Sequence, residues 1–125
     1  MEIKVGEYVR TNNGLLGKVN KIELKGSGVR FGGEFLTDTI IQFNDGKVYE
    51  RRVKDKDIIK HSKDLVDLIE VGDIVNNGYI YEIGNTEDGH KWVHNLIGLL
   101  LFGEDIETIL THEQYNANCY KTEQN

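Results

Sequence analysis

Hydrophobic and polar residues alternate along most of the chain in short runs, a pattern typical of β-strands rather than helices. One run occurs twice. Residues 5–9 read Val-Gly-Glu-Tyr-Val and precede Asn-Asn-Gly at 12–14, while residues 71–75 read Val-Gly-Asp-Ile-Val and precede Asn-Asn-Gly at 76–78. Because Asn and Gly tolerate the positive φ of tight turns, each copy predicts a hairpin. The repeat therefore predicts two related β units in tandem.

The first unit shows further strand signals after its hairpin turn. They lie at 16–22, 35–43, 47–53 and 58–60, with Asn-Asp-Gly at 44–46 as a second strong turn signal. Five short strands of this kind are typical of a small barrel of the SH3-like or KOW-like type. We expect the unit to cover residues 1–62.

The second unit is expected to begin at residue 71, after a helical turn at 63–70 that Ser62 caps. Its predicted strands are 72–76, 79–84, 90–96, 106–110 and 119–121. Segment 97–103 fits a strand or a helical turn, with the strand slightly favoured, and Thr111 is expected to cap a second short turn. The predicted fold is mainly β, with two five-stranded SH3-like barrels packed together and a helical turn at their junction.

Composition narrows the functional classes. The 125 residues include 15 Lys and Arg against 21 Asp and Glu, a formal charge of −6, which disfavours unaided binding to nucleic-acid phosphates. A single cysteine, Cys119, excludes an internal disulfide. The N-terminus has no secretion signal, and the longest apolar run, 96–102, is too short to span a bilayer. We therefore expect a cytoplasmic protein.

A glycine-rich segment at 25–33 predicts an exposed hairpin loop, since four of its nine residues are Gly. It lacks the GxxxxGK[ST] pattern of a phosphate-binding loop. Arg30 and Phe31 are residue types that anchor interfaces, so the segment fits a binding loop. A hairpin without a binding role is an equally good interpretation.

Aromatic and basic residues offer two more candidate surfaces. The basic stretch at 47–56 includes Arg51 and Arg52 but is diluted by acidic residues, which favours a solvated strand edge. The alternative is a nucleic-acid face on which Tyr49 stacks a base.

In the second unit, Trp92 and two tyrosines at 79 and 81 either fill the core, which we favour, or form an open partner-binding face.

No catalytic or metal motif is present in the sequence. His90, His94, His112 and Cys119 lack the paired spacing of zinc ligands, so we expect neither a metal nor another cofactor. A nucleophilic pair of Cys119 and His112 lacks any local signature.

Two acidic pairs are interpreted as solvated loop charges rather than as a general acid and base. They are Glu87-Asp88 and Glu104-Asp105. We expect these charges to contribute to docking on a basic protein surface.

Three segments resemble small uncharacterised proteins encoded by phages and prophages of low-GC Gram-positive bacteria. They are the run from Lys60 to Gly78, the opening Val-Gly-Glu-Tyr-Val-Arg-Thr at 5–11, and Ile-Leu-Thr-His-Glu-Gln-Tyr at 109–115. The resemblance carries no catalytic motif. It implies a mobile genetic element, where small acidic proteins often act as accessory factors that block host immunity.

We therefore expect a non-enzymatic binding protein, an anti-defence inhibitor of the anti-CRISPR type that docks on a bacterial immune effector protein in the host bacterial cytoplasm. An acidic surface suits the basic channel of a nuclease. Two alternatives stay open. One is a sponge that sequesters a nucleotide immune signal through Arg30, Arg51, Arg52, Tyr49 and Trp92. The other is an SH3-like nucleic-acid or ribonucleoprotein accessory module.

Overall fold

The computed structural model describes residues 2–31, 34–45 and 50–118. The chain divides into two compact units, Met1–Asp64 and Leu65–Asn125. Each contains a five-stranded antiparallel sheet, which confirms the predicted mainly-β class with five strands in each unit. No helix within the described ranges is long and apolar enough to cross a membrane.

Unit 1 is a meander whose last strand returns to its first. Its strands are β1 (Tyr8–Thr11), β2 (Leu16–Phe31), β3 (Glu34–Asn44), β4 (Glu50–Lys54) and β5 (Ile58–Ser62), with a 3₁₀ turn at Asp55–Asp57. The strand order across the sheet is β4-β3-β2-β1-β5. Inward-facing apolar side chains form its core, namely Val9, Val19, Ile41, Phe43 and Ile58.

Unit 2 repeats this topology with shorter strands. They are β6 (Ile74–Val75), β7 (Gly78–Asn85), β8 (Lys91–Asn95), β9 (Leu100–Phe102) and β10 (Ile109–Leu110). Its 3₁₀ turns lie at Leu65–Leu68 and Gly103–Asp105, and helix α1 covers His112–Asn118. The order β9-β8-β7-β6-β10 matches that of unit 1 strand for strand. Its core contains Val66, Ile69, Val75, Ile80, Val93 and Leu101.

The sequence repeat is also a repeat in backbone geometry. Gly6 and Gly72 both adopt positive φ, +96° and +100°, and each donates its N–H across the hairpin over 2.9 Å, to Val19 and Ile80 respectively. Glycine adopts this conformation without the steric cost that a Cβ adds. The two Val-Gly-acidic segments therefore occupy equivalent positions at the start of the first strand of each sheet.

The two Asn-Asn-Gly turns differ, although the sequence predicts a tight turn at both. In unit 1, Thr11 donates its N–H to Leu15 O over 2.9 Å, and Gly14 takes the positive φ of +84°. In unit 2 the positive φ values fall on Asn76 (+49°) and Asn77 (+67°), as in a two-residue type I′ hairpin. The same three residue types thus form a longer loop in unit 1.

The prediction of a loop at 25–33 is wrong for residues 25–31, the part of this segment that the structure describes. Strand β2 runs on to Phe31, and Arg30 pairs with Phe35 after a register shift that follows Gly26. Backbone hydrogen bonds hold an antiparallel ladder without help from side chains, and a bulge accommodates glycine, so the glycines do not end the strand. Arg30 and Phe31 therefore belong to a β-ribbon, and residues 32–33 lie outside the described residues.

Several boundaries also differ from the prediction in unit 2. The strand favoured within segment 97–103 forms as β9, whereas the strand predicted at 106–110 is limited to β10. The strand predicted at 119–121 lies outside the described residues. The Thr111 cap is confirmed, since Tyr115 donates its N–H to Thr111 O over 2.9 Å and Gln114 donates to Thr111 Oγ1 over 3.3 Å.

Candidate protein-docking face

An apolar turn joins β8 to β9 at residues 95–99, which read Asn-Leu-Ile-Gly-Leu. The N–H of Asn95 donates to Leu99 O over 3.1 Å, and the N–H of Gly98 donates to Asn95 O over 3.0 Å. Gly98 takes a φ of +88°. The N–H of Leu99 donates to the Asn95 side-chain Oδ1 over 3.0 Å, so the first residue of the turn closes it with its own side chain.

Two other turns within the described ranges have the same hydrogen bonds. In turns 11–15 and 86–90 the first residue is Thr, and its Oγ1 accepts the N–H of the fifth residue over 3.0 Å in both cases. The fourth residue is again a Gly with positive φ, Gly14 or Gly89. One turn geometry thus occurs at three places in the described residues, with different side chains at the second and third positions. In the two turns that begin with Thr, the third residue also accepts a hydrogen bond from the Thr hydroxyl.

Those two positions are polar in two turns and apolar in the third. They hold Asn-Asn at 12–13, Glu-Asp at 87–88, and Leu96-Ile97 at the β8–β9 turn. The Leu96 and Ile97 side chains are 66% and 61% exposed. Because the other turns form with polar residues, the fold itself does not require apolar side chains here.

The turn is anchored to the sheet through its first residue. Asn95 is fully buried and donates its Nδ2 to Val75 O over 3.3 Å. A Cβ added at Gly78 would lie only 2.5 Å from that Nδ2, so the glycine makes room for the amide. A buried side chain with both amide atoms hydrogen-bonded holds the apolar turn in one position.

Exposed apolar side chains continue from this turn onto the neighbouring strands. Leu96 donates its N–H to Tyr79 O over 2.9 Å, which places the turn beside β7. The Tyr81 hydroxyl lies 2.7 Å from His94 Nδ1, and the two ring centroids are 4.8 Å apart. We call the following set the docking face: Tyr79, Tyr81, His94, Leu96, Ile97, Leu99 and Leu100.

The prediction that the tyrosines fill the core is wrong. Tyr79 and Tyr81 are 46% and 42% exposed, because they alternate along β7 with the buried Ile80 and face away from it. The alternative of an open aromatic face describes their position. Exposed apolar side chains on neighbouring strands and on the turn between them are typical of interaction sites.

Trp92 takes a position between core and solvent. It is half-buried on β8, between the paired residues Gly84 and Phe102. A Cβ added at Gly84 would lie 2.3 Å from the indole Cζ2, so the indole lies directly over the glycine. Trp92 therefore packs over the sheet at Gly84.

Charge is divided unequally between the units. Met1–Asp64 contains 13 Lys and Arg against 10 Asp and Glu, a formal charge of +3. Leu65–Asn125 contains 2 Lys and Arg against 11 Asp and Glu, a formal charge of −9. The docking face thus belongs to a strongly acidic unit, and a basic surface is its electrostatic complement.

The two predicted acidic pairs lie at exposed positions of unit 2, but their members differ in role. Glu87 and Asp88 occupy the variable positions of turn 86–90, and the hydrogen bond from the Thr86 hydroxyl lowers the Asp88 pKa. Glu104 is exposed in the 3₁₀ turn. Asp105 instead supports the backbone, because its Oδ2 accepts the Phe102 N–H over 3.0 Å.

Arg51 and Arg52, from the predicted basic stretch of unit 1, are both ion-paired. Arg51 Nε lies 3.0 Å from Asp45 Oδ2, and Arg52 Nη2 lies 2.7 Å from Glu23 Oε2. Arg30 and Phe31 lie at the end of β2, opposite Phe35 and Glu34, and Tyr49 lies outside the described residues.

The histidines proposed as weak zinc candidates have separate partners. His90 Nε2 lies 3.7 Å from Asp88 Oδ2, and His94 contacts Tyr81. His112 Nε2 lies 2.9 Å from Glu70 Oε1. Cys119 lies outside the described residues. No signal in the sequence links Glu70 to His112, which lie 42 residues apart.

Comparisons with protein-family models, with curated proteins and with solved structures find no match to this chain.

Proposed function

We propose that this chain is a non-catalytic binding protein that docks on a basic surface of a partner protein through the docking face of unit 2. The observation that carries the proposal is the comparison of the three turns. One turn geometry presents Asn-Asn, Glu-Asp and Leu-Ile at the same exposed positions. Solvated turns favour polar residues, so exposed Leu96 and Ile97 point to a partner that buries them.

The energetic gain from such burial is large. Removing a Leu or Ile side chain from water contributes about 1.5–3 kcal/mol. The turn backbone is already held by Asn95, so little conformational freedom is lost when the partner binds. Leu96 and Ile97 are therefore expected to be the main anchors of the interface.

The charge of unit 2 supports a basic partner. A formal charge of −9 repels nucleic-acid phosphates and speeds encounter with a positively charged protein surface. The complementary partner presents an apolar depression surrounded by Lys and Arg.

The architecture proposed for both units is the SH3-like barrel. The shared strand order, with the fifth strand beside the first and a 3₁₀ turn before the fifth strand, supports this assignment. We propose that each sheet curves around its core and closes into a barrel.

For the partner, we propose a bacterial immune effector, with the chain acting in the host bacterial cytoplasm as an inhibitor of the anti-CRISPR type. The support is the resemblance to phage and prophage proteins, together with the acidic docking unit. Nucleic-acid channels of nucleases provide extended basic surfaces, which an acidic protein can occupy in place of phosphates.

Among the residues that the structure describes, no specific observation favours either alternative function. A nucleotide sponge and a nucleic-acid module both need cations that meet phosphate, whereas Arg51 and Arg52 already contact carboxylates in unit 1.

The proposal is tested in a DNA-cleavage assay with purified CRISPR effectors of several classes. The wild-type chain should inhibit at least one effector, and the Leu96→Asn/Ile97→Asn variant, which copies the turn at 11–15, should not. The matched control is Glu87→Asn/Asp88→Asn in the turn at 86–90, which should inhibit nearly as well. If the chain neither inhibits nor binds any effector of the panel, the proposed partner class is refuted. If both variants inhibit equally well, the assignment of the docking face is refuted.

A further inference from the structure

A cluster separate from the docking face lies where α1 begins. His112 Nε2 is 2.9 Å from Glu70 Oε1 and 2.9 Å from Glu113 Oε1. The three ligand atoms all lie within 4.8 Å of one another. One imidazole nitrogen thus has two carboxylate oxygens at contact distance.

A buried carboxylate holds this cluster together through the backbone. Asp73 is fully buried, and its Oδ2 accepts the Glu70 N–H over 2.8 Å while its Oδ1 accepts the His112 N–H over 2.9 Å. Two segments 42 residues apart are thereby brought together at their backbones. Glu113 follows His112 directly in α1, so the positions of all three ligand residues depend on this carboxylate.

The chemistry of the set is that of a metal site. A single N–H on Nε2 points in one direction and cannot make two well-aligned hydrogen bonds at once. A cation that replaces the proton on His112 Nε2 would contact this nitrogen and the Glu70 and Glu113 carboxylate oxygens at the same time. One imidazole with two carboxylates is a donor set suited to Zn²⁺ and related divalent ions.

We propose that Glu70, His112 and Glu113 bind a divalent transition-metal ion, with Zn²⁺ as the best match. Bond lengths of about 2.0–2.2 Å in a tetrahedral site require ligand atoms about 3.3 Å apart. The two contacts of the nitrogen would lengthen by about 0.4 Å, and the two carboxylate oxygens, which lie within 4.8 Å of each other, would move to the same spacing. The side chains are 37%, 26% and 18% exposed for His112, Glu70 and Glu113, which allows that adjustment and gives the ion access. Three protein ligands leave the fourth position to water.

This site differs from the one that the sequence argues against. The spacing of His90, His94, His112 and Cys119 is not that of a closed zinc site, so none is expected from those residues. The proposed site uses only His112 from that set and takes its other ligands from carboxylates.

Calorimetric titration of ZnCl₂ into the chelator-stripped full-length chain tests the proposal. We expect one ion per chain, and at least a tenfold loss of affinity in each of Glu70→Gln, His112→Gln and Glu113→Gln. His90→Gln, which changes the exposed pair of His90 and Asp88, and Cys119→Ser should bind as the wild type does. Zn²⁺ should also raise the thermal midpoint of the wild type more than that of Glu113→Gln.

Circular dichroism checks that each variant is folded, and Glu113→Gln keeps every backbone hydrogen bond of the cluster. No saturable binding up to about 100 μM Zn²⁺, far weaker than the usual affinity of three-ligand sites, would overturn the proposal. Equal affinities of His112→Gln and His90→Gln would overturn it as well.

Discussion

The buried amide of Asn95 links the apolar β8–β9 turn to the hairpin that opens unit 2. Its Oδ1 accepts the Leu99 N–H over 3.0 Å, and its Nδ2 donates to Val75 O over 3.3 Å. Thr11 and Thr86 close the equivalent turns with a hydroxyl. The apolar turn is therefore attached to the sheet by a second hydrogen bond from the same side chain.

Asn95→Ala should lower the free energy of unfolding of unit 2 by about 1–3 kcal/mol, because it leaves the Val75 carbonyl and the Leu99 N–H without their side-chain partner. Asn95→Thr should recover part of the loss by restoring the hydroxyl acceptor found in the other turns. Urea unfolding followed by the fluorescence of Trp92, the single tryptophan, reports on this unit. A loss below 0.5 kcal/mol for Asn95→Ala, within the range of ordinary surface changes, would contradict the anchoring role.

Gly84→Ala should displace the indole of Trp92, since the new Cβ would lie 2.3 Å from the indole Cζ2. We expect a red-shifted fluorescence maximum and a loss of about 1–3 kcal/mol in unfolding free energy, the usual cost of overpacking. Gly103→Ala is the matched control, because its Cβ would meet Val66 Cγ1 at an ordinary 3.7 Å. The interpretation fails if both variants keep the wild-type emission.

The pH dependence of unit 1 should include a contribution from Glu7. The Lys4 N–H, 2.7 Å from Glu7 Oε1, and His61 lower the Glu7 pKa below its ordinary value of 4.5. A carboxyl whose pKa is lower in the folded state stabilises the fold above its ordinary pKa, and this stability is lost as pH falls through the folded pKa.

Glu7→Gln should therefore destabilise unit 1 at pH 7 and converge with the wild type as the pH falls below 4.5. Hydrogen exchange at the Val9 amide, in the core strand β1, measures the difference. A gap between wild type and variant that widens towards acid pH would have the wrong sign for this account.

Charge should act on the rate of partner association. Glu87→Lys/Glu104→Lys should slow association several-fold and weaken its dependence on salt, while the dissociation rate changes little. Asp105 is left unchanged because its carboxylate accepts the Phe102 N–H. Stopped-flow or surface-based kinetics at two salt concentrations measure the effect, and an unchanged association rate at low salt would exclude electrostatic steering by this unit.

Local patterns in the sequence predict the strands well. The two Val-Gly-acidic segments and the Thr111 cap form as expected, because φ preferences and caps depend on a few neighbouring residues. The strand β2 continues through Gly26 because its pairing with β3 outweighs the weak strand propensity of glycine, an effect of tertiary contacts.

The candidate sites are harder to read from the sequence. Tyr79 and Tyr81 have the residue types of a core, and their outward direction follows from the burial of Ile80 between them. The apolar turn at 95–99 appears as a continuous hydrophobic run, which a buried strand would also produce. The contact of Glu70 with His112 depends on the pairing of β6 with β10, which no local pattern predicts.

The most direct test of the docking face is the affinity of the Leu96→Asn/Ile97→Asn variant for the partner, measured by calorimetry beside the Glu87→Asn/Asp88→Asn variant. The account predicts at least about a 100-fold weaker Kd for the apolar-turn variant, since burial of each side chain is worth about 1.5–3 kcal/mol. The affinity of the control variant should fall by less than about tenfold, because the charges that it removes act mainly on the association rate. Wild-type affinity in the apolar-turn variant, with its fold intact, would contradict the central claim.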